Sequence, residues 1–359
     1  MKAVSQIPDF CKEKNFYLQG INYSLVMNRI LLLLFICFFT YEASAQRTAV
    51  ISSSLGVVHY VGDLANEKYF PFSSANVGSA ITIRDFLNNP KKTGTKFPIF
   101  DAQLRFSWHR LQYDETAPLG GNAGNELRNY KRGLSFRNDL FGIETDFTYN
   151  FYINQFAPLS KLKMSFFLLG GVGMFYGEPK ADLFYGNATP SNRYYFWNDG
   201  TVHNGPENGR GSQEIQRDGI YETNLRDWHT EGQGYSPEGK HFNTYSNFNI
   251  GFPVGGGMRY FYNKYLTFSA EVNYYFFITD YLDDVSDVYA TYDELNAMFT
   301  DPAQNEMARY ISDPSGKGTN GNLTTASRRG NPAMMDAFSY ISIEAAYKFT
   351  WKKKGIYGQ

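Results

Sequence analysis

Cysteine is nearly absent from this sequence. The two that occur, Cys11 and Cys37, both precede residue 46, and the segment before that residue is expected to be removed during export. A mature chain that starts there has no thiol, so thiol catalysis and cysteine metal sites are excluded. Its fold must then be stabilised by a core or a barrel rather than by disulfides.

Long apolar runs and a charge bias are also missing. Outside residues 30–39, no segment approaches the roughly 18 consecutive apolar residues that a membrane-spanning helix needs. The 34 lysines and arginines nearly match the 35 aspartates and glutamates. This balance gives no support to nucleic acid as a partner.

Residues 27–45 are typical of a secretory leader. Met27-Asn28-Arg29 supplies a start and a positive charge, residues 30–39 are an unbroken apolar run, and Ala43-Ser44-Ala45 fits a small-x-small cleavage site. This layout predicts a secretory signal peptide over 27–45. Residues 1–26 are interpreted as an extension from a mis-assigned start, and 46–359 as the mature domain.

Aromatic residues are abundant. Phe, Tyr and Trp make up 18% of the chain, with 31 Phe and 28 Tyr beside 33 Gly, while the mean hydropathy is negative. A transmembrane β-barrel has this composition, because its strands are apolar only at alternate positions and aromatic girdles mark both membrane interfaces.

Alternation of apolar and polar residues is the main structural signal. It is clearest at 266–278, where one face carries Leu266, Phe268, Ala270, Val272, Tyr274, Phe276 and Ile278. We predict eight strands, at about 49–61, 75–84, 100–109, 141–151, 163–176, 247–262, 266–278 and 341–351. Most are ten residues or longer, which favours tilted membrane strands over the shorter strands of a soluble sandwich.

The faces opposite the apolar ones carry mixed charges. We assign to the barrel interior Asp101, Arg105, Glu144, Asp146, Glu271, Glu344 and Lys348. An eight-stranded barrel is too narrow for an open channel, so these side chains are expected to fill it and pair with one another.

The connections support an all-β, antiparallel, up-and-down barrel. Export leaves the N-terminus periplasmic, so the connections at 152–162 and 262–264 should be short periplasmic turns, as they are. Those at about 110–134, 177–246 and 279–337 should be extracellular and are long. The connection at 85–98 is longer than a periplasmic turn should be. Loop 177–246 is expected to be exposed and partly mobile.

Four segments together carry a family resemblance. They are Gly56-Val57-Val58-His59-Tyr60-Val61-Gly62-Asp63-Leu64, Lys131-Arg132-Gly133-Leu134-Ser135-Phe136-Arg137-Asn138, Phe277-Ile278-Thr279-Asp280-Tyr281-Leu282-Asp283-Asp284-Val285-Ser286 and Arg329-Gly330-Asn331-Pro332. Over most of residues 48–351 the chain resembles the PorG-like outer-membrane proteins associated with the type IX secretion system. The resemblance implies a barrel that helps to anchor or stabilise a periplasmic secretion assembly. The long 177–246 insertion departs from the compact family pattern.

Two sets of residues are candidate sites on the strands and at their ends. Asp280, Asp283, Asp284 and Asp287 could bind Ca²⁺, although Asp and Ser capping a turn explains them more simply. Ser107 and His109 share a strand face and could form a nucleophile and base, but positions i and i+2 lie about 7 Å apart. If Trp108 lies at the outer rim, His109 is interfacial.

The remaining candidates are weaker. His203, His229 and His241, two of them with Asp227, could ligate zinc, although no short ligand spacing is present. Gly170-Gly171-Val172-Gly173 and Gly255-Gly256-Gly257 are not phosphate loops, because no helix follows, and are expected to allow curvature or close packing. Lys352-Lys353-Lys354 is a basic tail that could be solvated or could contact anionic partners or head groups.

The sequence therefore predicts a non-enzymatic outer-membrane barrel without a cofactor. Its expected partners are outer-membrane lipid and, through the family resemblance, periplasmic secretion proteins. Two other functions remain open. A surface adhesin or receptor would act through the long loops, and a small lipid-modifying enzyme would depend on Ser107 or His109.

Overall fold

Eight long β-strands organise the structure, a computed structural model that describes residues 46–64, 75–87, 99–115, 132–152, 163–199, 201–235, 244–319 and 327–352. The long strands are β1 (Gln46–Val61), β2 (Ala75–Phe86), β3 (Phe100–Asp114), β4 (Ser135–Tyr152), β5 (Met164–Tyr176), β10 (Phe248–Phe261), β11 (Leu266–Phe277) and β12 (Ala337–Lys352). Four two-residue strands lie between β5 and β10: β6 (Lys180–Ala181), β7 (Tyr195–Phe196), β8 (Val202–His203) and β9 (Thr223–Asn224).

The long strands form a closed antiparallel barrel. Each pairs with its neighbours along the chain, β5 pairs with β10, and β12 lies beside β1 to complete the ring. Closure leaves no unpaired edge among these eight strands. The predicted fold, an eight-stranded antiparallel barrel, is confirmed.

The strand bounds differ from the prediction at the loop end. Strand β4 begins at Ser135 rather than near 141, and β3 continues to Asp114, which pairs with Ser135. Here the outward positions carry Arg110, Arg137 and Asp139, so the apolar alternation stops while the backbone ladder continues. At the other end, Tyr262 and Asn263 donate backbone N–H bonds to the Leu266 carbonyl, which confirms the predicted tight turn.

The two faces of the barrel wall differ in polarity. The outward face exposes large apolar side chains on all eight strands, among them Ile51, Ile81, Phe106, Ile143, Leu168, Val254, Val272 and Ile343. The inward face is buried and polar over much of its height. This is the opposite of a soluble barrel, which buries its apolar side chains and exposes polar ones.

The barrel interior is filled in two layers. In the lower layer Arg84 pairs with Glu344 (3.2 Å), Arg259 with Asp101 (3.2 Å), and Arg105 with Glu271 (3.0 Å). The upper layer is aromatic. The His109 ring centroid lies 4.7 Å from that of Tyr340, and the Phe338 and Tyr275 rings also contact it. Phe175 packs on Tyr275 and on Phe277 and so extends the layer.

Glycines let the wall of the barrel approach its neighbours closely. A Cβ at Gly257 would lie 2.2 Å from the Ala270 carbonyl oxygen and 2.8 Å from the Phe167 ring, whereas one at Gly170 would meet nothing within 4 Å. Close packing, one of the two roles expected of the glycine runs, therefore applies at Gly257 but not at Gly170.

Gly257→Val is expected to destabilise the barrel by about 1–3 kcal/mol, because the added methyl groups must displace backbone. Gly170→Val is the matched control and should leave stability unchanged. Urea unfolding followed by tryptophan fluorescence measures both. Equal midpoints for the two variants would contradict the packing role.

The described parts of the connections 177–246 and 279–337 fold into a cap, so these parts of 177–246 are not simply an exposed loop. Leu183, Phe184 and Leu225 are buried at 1%, 0% and 3% exposure, since they join the barrel's upper apolar cluster. The connection 279–337 contains two helices, α1 (Tyr292–Met298) and α2 (Pro302–Ser312). Among the described residues, no helix combines the length and apolarity needed to cross a bilayer.

Candidate functional site

A cluster of buried charged and polar groups joins the cap to the barrel at its loop end. We call it the mouth cluster, and it consists of Tyr60, Asp63, Glu115, Arg132, Glu231, Asp280, Asp283, Asp284, Arg329 and Asp336. All ten are less than a tenth exposed. They come from β1, from the ends of β3 and β4, and from both long connections, so the cluster exists only when these segments are folded together.

The deepest part of the mouth cluster is an acidic pair around a phenol. The Tyr60 hydroxyl lies 2.5 Å from Asp283 Oδ2 and 2.9 Å from Asp336 Oδ1. A phenol has one hydrogen to donate, so the second contact requires a protonated carboxyl that donates to the phenol oxygen. Burial raises the pKa of both Asp283 and Asp336 well above the ordinary range, which makes such a shared proton favourable.

These carboxyls also hold the backbone of the connection after β11. Asp336 Oδ2 accepts from the Leu282 amide at 2.8 Å, and Asp283 Oδ1 accepts from the Val285 amide at 2.9 Å. Leu282 and Val285 are thereby placed in the apolar cluster beneath the cap. These carboxyls therefore hold the connection against β1 by hydrogen bonds to its backbone and to Tyr60.

Arg329 organises the upper part of the mouth cluster. Its guanidinium lies 3.3 Å from both Glu231 Oε1 and Asp284 Oδ2, and it donates to the Asp284 carbonyl. Thr230 and Tyr245 donate to the Asp284 carboxylate at 2.5 and 2.7 Å. Thr230 and Glu231 belong to the connection 177–246, and Asp284 belongs to the connection 279–337. Arg329 therefore links these two connections.

The strand ends are joined to the cap by a second arginine. Arg132 pairs with Glu115 and donates to the Arg329 carbonyl at 2.7 Å and the Asp63 carbonyl at 3.3 Å. Asp63 Oδ2 in turn accepts from the Asn331 amide at 2.6 Å. The cap is thus bonded to residues just beyond the ends of β1, β3 and β4.

The segments that carry the family resemblance meet in this cluster. The residues on which that resemblance was based are Gly62, Asp63, Arg132, Gly133, Leu134, Ser135, Phe136, Thr279, Asp280, Tyr281, Leu282, Asp283, Asp284 and Val285. Leu134 and Phe136 join the apolar cluster beneath the cap, and Gly133 has φ +63°. The Tyr281 amide donates to Thr279 Oγ1 at 3.2 Å. Sequence reasoning missed Glu115, Glu231 and Asp336, and it quoted Tyr60 and Arg329 within the resembling segments without assigning them to a site.

The four calcium candidates do not surround a common point. Asp283 and Asp284 accept hydrogen bonds from different partners, and Asp287 is exposed. Within the described residues, no group of three or more His, Cys, Asp or Glu side chains is arranged to hold a metal ion.

Asp280 is the titratable group of the mouth cluster that is best suited to a test. Burial, helped by the carboxylates of Asp63 and Glu231 and opposed by the Ser286 hydroxyl, raises the pKa of Asp280 to about 8. A carboxyl whose pKa is raised on folding stabilises the fold at low pH, and this contribution is lost as pH rises through the folded-state pKa.

The cap is therefore expected to loosen progressively from about pH 4, the ordinary pKa of an aspartate, to about pH 8, the folded-state pKa of Asp280. Asp280→Asn should flatten that dependence because it removes the titrating group. Limited proteolysis across this range measures the cap directly. Asp287→Asn, at an exposed acidic position in the same connection, is the control and should keep the wild-type profile. A pH profile unchanged by Asp280→Asn would refute the role of this carboxyl.

Ser107 and His109 point into the barrel, as their shared face predicts, but they do not pair. Ser107 Oγ donates to Glu144 at 2.5 Å. The His109 ring is fully buried among aromatic rings, and neither of its nitrogens has a hydrogen-bond partner in the described part of the chain. His109 is therefore interior rather than interfacial. The wall turns it inward even though its neighbour Trp108 faces out.

The zinc candidates lie in separate surroundings. The His203 ring stacks on Trp197 at 3.5 Å between centroids, and its Nε2 lies 2.8 Å from Thr201 Oγ1. His229 follows the short 3-10 helix Leu225–Trp228, near Phe299. The structure does not describe His241, the predicted extension at 1–26 and leader at 27–45, the connections at 88–98 and 153–162, or the tail beyond Lys352.

The structure buries six of the seven assigned interior charges, Asp101, Arg105, Glu144, Asp146, Glu271 and Glu344. Lys348 is only half-buried, with its Nζ 5.5 Å from the Phe86 ring centroid. Two further interior cations, Arg84 and Arg259, were missed. Both lie at inward-facing positions of β2 and β10, whose alternation of apolar and polar residues is weak because it is interrupted by serines, threonines and glycines.

No family model matches the chain, and no curated protein is similar to it. Several solved structures are. A major outer membrane protein from Thermus thermophilus is 10% identical over 84% of this chain and 99% of its own, with a TM-score of 0.35. Neisserial surface protein A is 9% identical over 86% and 99%, with a TM-score of 0.29. The attachment invasion locus protein Ail of Yersinia pestis is 9% identical over 84% and 99%, with a TM-score of 0.29.

Likeness at this level carries no argument about function. The barrel assignment rests on the strand pairing of this chain itself.

Proposed function

We propose that the chain is a non-enzymatic barrel of the bacterial outer membrane that anchors or scaffolds a periplasmic assembly, namely the type IX secretion machinery. The observation that carries the membrane location is the outward face, which is apolar on all eight strands around a buried polar interior. Such a surface is stable only against lipid, because water would leave a large apolar area exposed.

A scaffolding role follows from how the barrel is closed. Ion pairs fill its lower half, aromatic rings its upper half, and the cap covers its mouth. Solute transport needs a continuous polar path, which this filling opposes. A sealed barrel with a rigid cap is better suited to fix a position in the membrane.

The secretion role rests on the family resemblance, whose motif residues build the mouth cluster. A partner on the periplasmic side would meet the short turns, such as that after Phe261, and the basic tail at 352–354. A leader at 27–45 would direct the chain there. The test is a strain lacking the protein: we expect type IX cargo to accumulate in the periplasm, and the periplasmic components to co-purify with the tagged barrel. Normal cargo export in that strain would refute this role.

The membrane location is tested separately. Residues 46–359 refolded in detergent should give a β-rich circular dichroism spectrum and a band that migrates differently when the sample is not boiled. A soluble monomer that needs no detergent would overturn the barrel-in-membrane proposal, whatever the secretion assay shows.

One observation favours a second candidate, a surface adhesin or receptor. The connections form an ordered cap with two helices and several exposed aromatic and charged side chains, among them Tyr185. An ordered surface is what a binding role requires. Removing the outer part of the cap while retaining the mouth cluster should then abolish binding to host or matrix surfaces and leave cargo secretion intact.

A further inference from the structure

A groove interrupts the apolar outer wall of the barrel. It has a volume of about 630 Å³ and is lined by Ser53, Ser79, Ile81, Phe106, Ile143 and Met174. That volume lies within the range of about 300–1,000 Å³ typical of ligand pockets. Ser53 and Ser79 face outward between much larger neighbours, so the groove arises because small side chains occur on β1 and β2 where the other strands carry bulky ones.

A pair of arginines lies directly above this groove. Arg110 follows Trp108 on the same outward face of β3, and its register partner on β4 is Asp139. Arg110 makes a two-point contact with Asp139 at 2.8 and 3.2 Å, and Arg137 Nε lies 3.6 Å from the same carboxylate. Two guanidinium groups thus share one carboxylate, which leaves the group positively charged.

The arginines are preorganised and still accessible. Trp108 Nε1 donates to Asp139 at 3.1 Å, and the Arg137 guanidinium lies 4.6 Å from the Tyr221 ring centroid. The Arg110 and Arg137 side chains are 32% and 28% exposed. Lys180, in register with Arg137 on the same face, adds a third cation, while Glu178 nearby bonds the Tyr176 hydroxyl. An oxyanion could therefore bind without displacing the pairs already formed.

The height of the arginines matches a lipid headgroup. Arg110 is ten positions above Phe100, where β3 begins at the short-turn end. Ten residues extend about 33 Å along a strand and, at a tilt of about 40°, about 25 Å along the membrane normal. This is the height of the apolar band of such barrels. Trp108 then lies in the upper aromatic girdle and Arg110 just above it.

We propose that this groove and the arginines above it bind a phosphorylated glycolipid of the outer leaflet, with an acyl chain between Ser79 and Phe106 and a phosphate at Arg110 and Arg137. The inference rests on the proposed membrane location and orientation, since the loop end faces outward only in that case. Charge complementarity selects a phosphate-bearing head, and the outer leaflet supplies one on a glycolipid rather than a phospholipid.

The test uses the detergent-folded protein and titration with bis-phosphorylated lipid A, its mono-phosphorylated form and phosphatidylglycerol, followed by native mass spectrometry. We expect the strongest retention for the bis-phosphorylated form. Replacing both arginines in an R110Q/R137Q variant should weaken it about tenfold, because charge-assisted hydrogen bonds to phosphate are lost. Arg193→Gln removes an arginine of similar exposure, 33%, elsewhere on the cap and should leave binding unchanged.

The acyl part of the site has its own variants. Ser79→Leu fills the groove with an apolar side chain that suits a lipid-facing position, and it should also weaken retention. Thr145→Leu makes a similar change on the outward face of β4 outside the groove and should not. Equal retention of phosphatidylglycerol and lipid A, or unchanged binding in the R110Q/R137Q variant, would overturn the proposal. A protein that shows no heat-modifiable band would instead overturn the membrane location itself.

Discussion

Replacing Arg105 with methionine is expected to leave most of the protein molecules unfolded. Arg105 is 1% exposed, its guanidinium lies 3.0 Å from Glu271 and 3.6 Å from Asp146, and it donates to the Tyr275 hydroxyl at 3.3 Å. Methionine removes the cation and leaves the carboxylates without a counter-charge. Breaking a buried ion pair from one side costs about 3–5 kcal/mol, a large part of the roughly 5–15 kcal/mol that stabilises a typical protein.

A second variant separates the effect of the lost charge in Arg105→Met from the effect of the changed side-chain volume. Adding Glu271→Gln to Arg105→Met removes one of the uncompensated charges, so the double variant should recover part of the lost stability. Lys348→Met is the control, because Lys348 is half-buried at the barrel end and has no ion pair among the described residues. The readouts are the fraction of heat-modifiable protein after refolding and the urea midpoint. If Arg105→Met alone folds like Lys348→Met, the interior ion pairs are not required.

Replacing Arg329 with methionine is expected to release the cap while the barrel stays closed. Arg329 is the only arginine among the described residues that contacts both Glu231 and Asp284, and without it those two buried carboxylates repel each other. The local penalty should again be about 3–5 kcal/mol. This penalty destabilises the cap rather than the barrel wall, because Arg329 belongs to the mouth cluster, which joins the cap to the barrel without being part of the strand pairing.

If Arg329→Met destabilises only the cap, protease sensitivity of the cap and heat-modifiability of the barrel should change independently. Protease sites in 177–246 and 279–337 should become accessible, while the heat-modifiable band remains. The adjacent Arg328→Met is the matched control, since Arg328 is exposed and its side chain bonds Gly330 and Asn331 of its own turn. A variant Arg329→Met whose loops resist protease like the wild type would contradict the role of this side chain.

The barrel was predictable because its signal is local. Alternation along β11 and β12 places each side chain inside or outside without knowledge of any partner strand, and the eight strands were located within a few residues. The prediction was weakest where that signal fades. Strand β4 continues for six residues before Phe141 as a ladder whose outward side chains are charged, so pairing with β3, not periodicity, defines its start.

The mouth cluster was not predictable in the same way. Asp283 and Asp284 were identified as a notable acidic run, but their partners Tyr60 and Arg329 lie 223 and 45 positions away along the chain. Glu231 lies in a connection with no periodicity at all. Such contacts depend on how the cap sits on the barrel, and a single sequence contains no pattern that pairs an isolated glutamate with a distant arginine.

The seam between the first and last long strands has a kinetic consequence. The barrel closes only when β12 pairs with β1, so the ring cannot form before the segment at 337–352 is in place. Until then β1 and β11 present open edges with apolar outward faces, which are templates for aggregation. A chain in transit would need to be held apart from its copies by chaperones, and slow folding is expected of so non-local a contact.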